Sequence, residues 1–333
     1  MARSMLIAVD AMGGDNAPAE IVKGAVNALA DERIKIIFLG AEEAIRKELS
    51  QHLVKTDQVE IIAASEVITN EESPTNAIRQ KKNSSMVLGL RLLKDRKASA
   101  FVSAGATGAL LTGATVIVGR IPGIERPALG ALLPNEKNFS LLIDCGANVD
   151  AKPNYLVQFA KMGSIYMENV LGVREPRVGL LNIGAESEKG NALTKEAYAL
   201  LENAVPHFVG NVEARDVPWG AADVIVCDAF VGNVVLKYTE GFAKAIMGVI
   251  QKELMSSTVS KLGALLAKNA LRRVKNSFDY AEVGGAPFLG LRALVVKAHG
   301  SSDAKAIQAA IRGCAACLEK DIARKIESSL IQV

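Results

Sequence analysis

Residues Leu6 to Ala25 read LIAVDAMGGDNAPAEIVKGA. An apolar run with strand character stops at Asp10, crosses Gly13-Gly14-Asp15-Asn16, and only then enters a segment with helical spacing. A turn that merely reverses the chain needs about one glycine. Paired glycines beside carboxylates and an amide instead mark a place where something approaches the backbone closely.

The same grammar recurs along the chain. Short apolar runs begin at Ile34, Val59, Ala98, Ser140, Arg177, His207, Asp223 and Ala293, and each ends in small or polar residues. Helical patterns, with apolar residues every three or four positions, occupy Ile21 to Leu29, Ala41 to His52, Ser84 to Arg96, Tyr155 to Val170 and Ala304 to Ile326. Strand alternating with helix predicts an α/β fold: a doubly wound, mostly parallel sheet in three α/β/α layers. No internal repeat, low-complexity tract or Pro-rich linker marks a boundary, so residues 1–333 are expected to form a single domain.

The chain has 333 residues, 50% of them hydrophobic and 5% aromatic, which suits Val/Ile-rich buried strands beneath Ala/Leu-rich helices. A formal charge of +3 does not indicate nucleic-acid binding, and any basic patch must be local. No signal peptide or bilayer-length apolar run is evident, so a cytoplasmic protein, at most attached to a membrane surface, is expected. The cysteines, Cys145, Cys227, Cys314 and Cys317, are too scattered for a disulfide framework, and the last two sit in a helix with packing the expected role.

In a doubly wound sheet the loops at the carboxyl ends of the strands share one rim, where ligands bind. That rim collects Asp10 to Asp15, Ser103 to Gly108, Asp144 to Asn148, Asn182 to Glu186, Asp228 to Asn233 and His299 to Asp303. Glycine there admits close approach, and the helix that follows offers free N–H groups, a combination suited to phosphate. Ser103, Gly105, Thr107 and Gly108, leading into a small-residue helix, are the strongest instance. Nucleotide signatures fail: no G-x-G-x-x-G follows the first strand, and GAESEKGN lacks the spacing and Lys-Ser/Thr pair of a P-loop. His299 alone among the histidines lies in a rim loop, without the G-x-S-x-G elbow of a triad hydrolase.

One stretch away from the rim stands out. Met255 to Phe278 contains Lys261, Lys268, Arg272, Arg273 and Lys275 and no acidic residue. Projected as one helix from Val259, it places Val259, Leu262, Leu266, Ala270 and Val274 on one side and Lys261, Lys268, Arg272 and Lys275 opposite, with Leu265 and Leu271 flanking. Such a segment suits an anionic membrane, an acidic protein, or a subunit interface with its charges in water.

The rim motifs AVDAMGGDNAP, KKNSSMVLGL, SAGATGAL, VGRIPGIERPALG, DCGANVDAKP, NIGAESEKGN, GNVEARD, DAFVGNVVLK and KAHGSSD run nearly from end to end. Together they resemble the phosphate acyltransferase family of bacterial phospholipid synthesis (PlsX), which makes acyl phosphate from acyl-acyl carrier protein and inorganic phosphate. Two positions depart from the family pattern: Ala106, usually Asn, and Ala229, usually Gly.

The resemblance implies a fold like that of phosphotransacetylases and the isocitrate and isopropylmalate dehydrogenase group. It further implies a homodimer, peripheral membrane attachment, and a helical arm over roughly 232–278 carrying the dimer and membrane or carrier contact. It also implies a link to a glycerol-3-phosphate acyltransferase. The chemistry needs no metal or organic cofactor. Asp10, Gly13, Gly14, Asp15, Ser103, Gly105, Thr107 and Gly108 become candidates for holding phosphate, and Asn148, Asn182, Lys189, Asn233 and His299 for stabilising the oxyanion. Lys261, Leu262, Leu265, Leu266, Lys268, Arg272, Arg273 and Lys275 become candidates for the carrier or membrane contact. A transferase using acyl-coenzyme A, or a noncatalytic scaffold binding the carrier, would share much of this pattern.

Overall fold

The computed structural model describes residues 4–277 and 284–331. Within them eleven strands form one sheet: β1 (Met5–Asp10), β2 (Ile34–Gly40), β3 (Val59–Ala63), β4 (Ala100–Ser103), β5 (Ala128–Pro134), β6 (Phe139–Ile143), β7 (Val178–Asn182), β8 (Phe208–Glu213), β9 (Val224–Val226), β10 (Ala286–Leu289) and β11 (Leu294–Lys297). The described α-helices are α1 (Ala19–Ala28), α2 (Glu42–Leu49), α3 (Pro74–Gln80), α4 (Ser85–Lys94), α5 (Thr107–Gly113), α6 (Pro153–Val170), α7 (Ala192–Ala204), α8 (Ala229–Leu254), α9 (Thr258–Leu266), α10 (Lys268–Ser277), α11 (Ala304–Glu319) and α12 (Ile322–Ile331).

The strand order is β3-β2-β1-β4-β11-β10-β5-β6-β9-β7-β8. From β3 to β11 all neighbours run parallel, as do β6, β9, β7 and β8. The expected mostly parallel, doubly wound sheet is therefore present. Its exceptions are β5 and β10, which pair antiparallel.

Those two strands are also the ones absent from the apolar runs read along the sequence, for the same reason. Gly130 and Pro134 interrupt β5, while β10 is four residues long and contains Pro287. The sheet tolerates that proline because β10 divides its pairing: Ala286 and Pro287 face β11, whereas Phe288 and Leu289 face β5. β10 thus joins two parallel half-sheets, one ending at β11 and one beginning at β5.

Helices cover both faces. On one side Phe101, Leu90, Leu110, Leu129, Leu142 and Ile225 belong to a core that runs across both half-sheets. On the other, α1 and α11 cover the first half through Ile21, Ile307 and Ile311, while α6 and α7 cover the second through Phe159, Leu156 and Leu201. Double coverage explains why strands such as β4 and β9 are buried at every position and read as continuous apolar runs.

Two helical expectations need correction. The pattern from Ala304 to Ile326 is two helices, separated at Lys320 and Asp321, where Asp321 takes a φ of 48°. The cationic segment is likewise split at Ala267 into α9 and α10, so a single projection from Val259 does not describe it. The Lys275 side chain and Phe278 lie outside the described residues.

Candidate functional site

The loops after β1, β4 and β11 meet at the rim of the first half-sheet. Lys297 pairs with Ser103 in the parallel ladder, and one residue beyond the Val9–Val102 pair Ser103 Oγ donates to Asp10 Oδ2 at 2.7 Å. Asp10, Ser103 and Lys297 therefore form a row across three neighbouring strand ends. Ser103 Oγ also accepts from Gly105 N at 3.0 Å, so one hydroxyl fixes the start of the β4 loop against the β1 carboxylate.

Asp10 is buried, with Ser85, Ser103, Met12 and Gly13 donating to it. Burial outweighs these donors and holds its carboxyl above the usual range. Its oxygens are occupied by the protein, so Asp10 organises the loop rather than presenting a ligand. Gly13 is required by proximity: a Cβ there would sit 2.6 Å from Asp10 Oδ2 and 2.7 Å from Gly105 N. Gly14 has a φ of +99°, which favours glycine on its own account. Asp15 N donates to Gly300 O at 2.8 Å and Asn16 Nδ2 to Ser302 O at 3.2 Å, stitching the β1 loop to the β11 loop.

The helix after β4 begins without a side-chain cap, because its N-cap residue is Ala106. Leu110 N is the first amide bonded into the helix, to Ala106 O at 2.9 Å. The N–H groups of Thr107, Gly108 and Ala109 have no protein partner among the described residues, and neither does the Thr107 hydroxyl. These donors face a rim supplied with positive charge. Lys297 Nζ donates to Ala104 O at 3.2 Å and also to Ala298 O. Its ammonium is pushed down to about 8, first by burial and then by Lys237.

Lys237 comes from the other half of the molecule, on α8. Its Nζ donates to Glu240 Oε2 at 2.8 Å and lies 3.0 Å from His299 Nε2. The other ring nitrogen, Nδ1, accepts from Ser301 N at 3.2 Å and lies 2.9 Å from Ser301 Oγ. Burial and Lys237 both lower the pKa of His299, favouring the neutral ring. Ser85, Lys237 and Lys297 were not singled out from sequence. They do stand within motifs, Ser85 in KKNSSMVLGL, Lys237 in DAFVGNVVLK and Lys297 in KAHGSSD, but only the folded chain reveals what they touch.

The second half-sheet satisfies its own rim. Asp144 is fully buried and accepts from Leu129, Gly146 and Ala147 N at one oxygen and from Asn148 N and Nδ2 at the other. Asn148 Nδ2 also donates to Pro127 O at 2.8 Å, so its amide is committed to the fold. Asn182 Nδ2 is held by Asn211 Oδ1 at 3.0 Å and Lys189 O at 3.1 Å, and its Oδ1 accepts from Ile183 N. Asn191 and Asp228 cap α7 and α8 with their own side chains.

The structure thus gathers His299 with the candidates from the β1 and β4 loops, but leaves Asn182 and Lys189 on the other half. Six strand spacings separate β7 from β4, roughly 29 Å along the sheet. Asn233 lies between, exposed on the first turns of α8, its side chain without a hydrogen bond among the described residues. That helix is seated against the Asp144 loop: Ala229 N donates to Asn148 O at 2.9 Å, and a Cβ on Gly232 would stand 1.9 Å from Asp144 O.

Beyond its first turns α8 leaves the core. Phe230, Val234, Tyr238, Phe242 and Ile246 recur every four residues and are all exposed, Phe242 at 54%. In α9, Leu262, Leu265 and Leu266 are exposed too, Leu266 at 82%, with only Ala264 buried. Lys261, Lys268, Arg272 and Arg273 share this exposed arm. No described helix is long and apolar enough to cross a membrane.

A family model described as fatty acid synthesis protein matches residues 5–325. The chain belongs to this family. A protein named phosphate acyltransferase from Clostridium botulinum (strain Loch Maree / Type A3) is 51% identical over 327 residues, covering 98% of each chain. The family resemblance drawn from the rim motifs is borne out by this full-length match. Among solved structures, a phosphotransacetylase from Streptococcus pyogenes superposes with a TM-score of 0.60 at 19% identity, covering 95% of each chain. A 4-hydroxythreonine-4-phosphate dehydrogenase from Klebsiella pneumoniae gives 0.52 at 12% identity over 97% of this chain and 100% of that one. Both show that this chain shares the α/β architecture of those two proteins.

Proposed function

We propose that the protein transfers a fatty acyl group from the thioester of acyl carrier protein to inorganic phosphate, supplying acyl phosphate to phospholipid synthesis. The single observation that carries this is the unfilled set of donors at the β1, β4 and β11 strand ends in a chain half identical to phosphate acyltransferases. Phosphate is a nucleophile at neutral pH, so no activated serine or cysteine is required. A phosphate oxygen forms the new bond to the carbonyl carbon, the carbon–sulfur bond breaks, and the departing sulfur takes up a proton as the pantetheine thiol. The protein's tasks are to position the phosphate and to stabilise the tetrahedral oxyanion.

The open amides of Thr107 and Gly108, with the Thr107 hydroxyl and Gly14, serve the first task. Asn233, whose side-chain amide has no hydrogen bond among the described residues, serves the second from the α8 side. His299, neutral at pH 7, acts as a hydrogen-bonding group rather than a cation. The exposed i,i+4 stripe of α8 fits a homodimer contact. The apolar and basic residues of α9 and α10 fit an anionic membrane surface and the acidic carrier protein. A glycerol-3-phosphate acyltransferase would then receive the acyl phosphate.

The test is formation of acyl phosphate from purified protein, acyl-acyl carrier protein and phosphate. Absence of product where a known family member works removes the proposal. A higher rate with acyl-coenzyme A than with the acylated carrier would favour a coenzyme A transferase. Lys268→Glu with Arg272→Glu should raise the carrier KM or release the protein from anionic vesicles. If neither changes, these charges serve only the fold or assembly.

A further inference from the structure

Lys297 occupies an unusual position for an ammonium group. It ends a strand in the middle of the sheet, is largely enclosed, and donates only to the carbonyls of Ala104 and Ala298. An ammonium carries three hydrogens, so one remains for another acceptor. No carboxylate of the described residues lies within ion-pair distance of it. Asp10 and Asp15 act on it only through space, and Asp10 is already surrounded by donors. A partly desolvated cation without a bound anion is costly, and the fold adds a second cation to it.

That second cation is Lys237, brought across from α8. Its carboxylate partner, Glu240, is on the same helix, and its other neighbour is the His299 ring, two residues beyond Lys297. The repulsion between Lys237 and Lys297 contributes to the lowered pKa of the latter. Glu240 and the His299 ring hold Lys237 at the loop that Lys297 begins, so two ammonium groups serve one stretch of rim. An anion bound between them would remove the repulsion and supply Lys297 with its missing acceptor.

We propose that Lys297 and Lys237 form a two-sided clamp for inorganic phosphate, one jaw fixed on the central sheet and the other carried by the root of the arm. The clamp rests on the phosphate acyltransferase reading, and it names residues that reading did not need. Because the jaws belong to different elements, an occupied clamp also holds the base of α8 against the His299 loop.

The experiment uses the full chain with inorganic phosphate as probe, combining calorimetric binding with steady-state kinetics. Lys297→Met and Lys237→Met should each raise the phosphate Kd and KM by about tenfold or more, as expected for loss of a charge-assisted hydrogen bond. The KM for the acylated carrier should stay within about twofold, and Lys237→Arg should recover most of the phosphate affinity because it keeps the charge. Folded methionine variants that bind phosphate within about twofold of the parent overturn the clamp. Should Lys297→Met not fold, Lys237→Met decides the matter, since its side chain lies on an exposed helix face. If the parent binds phosphate through these lysines yet makes no acyl phosphate, the functional reading falls and the clamp stands. If the parent turns over while both variants keep its phosphate KM, the clamp falls and the function stands.

Discussion

The two half-sheets end in the same kind of loop and treat it in opposite ways. Past β6 and β7, buried Asp144 and partly buried Asn148 and Asn182 take up nearby amides and carbonyls, and the helices after β7 and β9 carry their own caps. Past β4 and β11, the first amides of α5 are uncapped and Lys297 has only carbonyl partners. The sequence signals are alike, a carboxylate or hydroxyl followed by glycine. A rim motif therefore says where a bend is, whereas the hydrogen-bond ledger of each bend says whether it has anything left for a ligand.

The sharpest way to break the comparison is to unlock the closed half. Asp144→Ala strands several buried N–H groups and should lower stability by about 3–5 kcal/mol, measured by urea denaturation. A loss below about 1 kcal/mol would mean that the loop is not held as described. Next, Gly13→Ala forces a methyl group into Asp10 and Gly105. It should reduce kcat/KM for phosphate by about 100-fold with a smaller effect on the acylated carrier KM. An equal fall for both substrates would contradict a local effect on the phosphate loop.

A third test uses pH. Lys297, facing Lys237 and the more distant Asp10 and Asp15, is charged below about 8 and neutral above it. The apparent phosphate affinity should fall as pH rises through that value, by up to about tenfold per unit. Stability moves the other way: between about 8 and the unfolded lysine value near 10.4 the unfolded chain binds the additional proton, so this group favours folding more as pH rises. A phosphate KM that is flat from neutral pH to well above 8 counts against a charged Lys297 at the site. The smallest expected effect comes from giving the open half a lock of the closed kind. Ala106→Asn supplies α5 with an N-cap and should stabilise by about 1 kcal/mol, read as a rise in Tm. No rise would mean the new amide does not reach the helix.

Much of this was legible before any coordinates. Nine of the strands follow from apolar runs ending in small or polar residues, because burial on both faces leaves an unbroken signal. β5 and β10 were missed because glycine and proline interrupt short strands whose pairing is set by distant neighbours. At the site, the glycines of the β1 and β4 loops could be read because close backbone approach requires them. Lys237 could not, since its position 3.0 Å from His299 depends on how α8 crosses the rim, which no local pattern encodes. Asn148 and Asn182 show the opposite limit: their residue type suggested donors, but their partners use them.

The placement of β10 and β11 also bears on how the molecule comes into being. These central strands lie beyond the arm in the chain, so everything before Ala286 emerges from the ribosome first. Until they arrive, β4 and β5 present unpaired edges to each other and to any neighbouring nascent chain. The keystone is laid last, and the same late segment brings Lys297 and His299, so the rim that gathers phosphate is completed only with the end of the sheet.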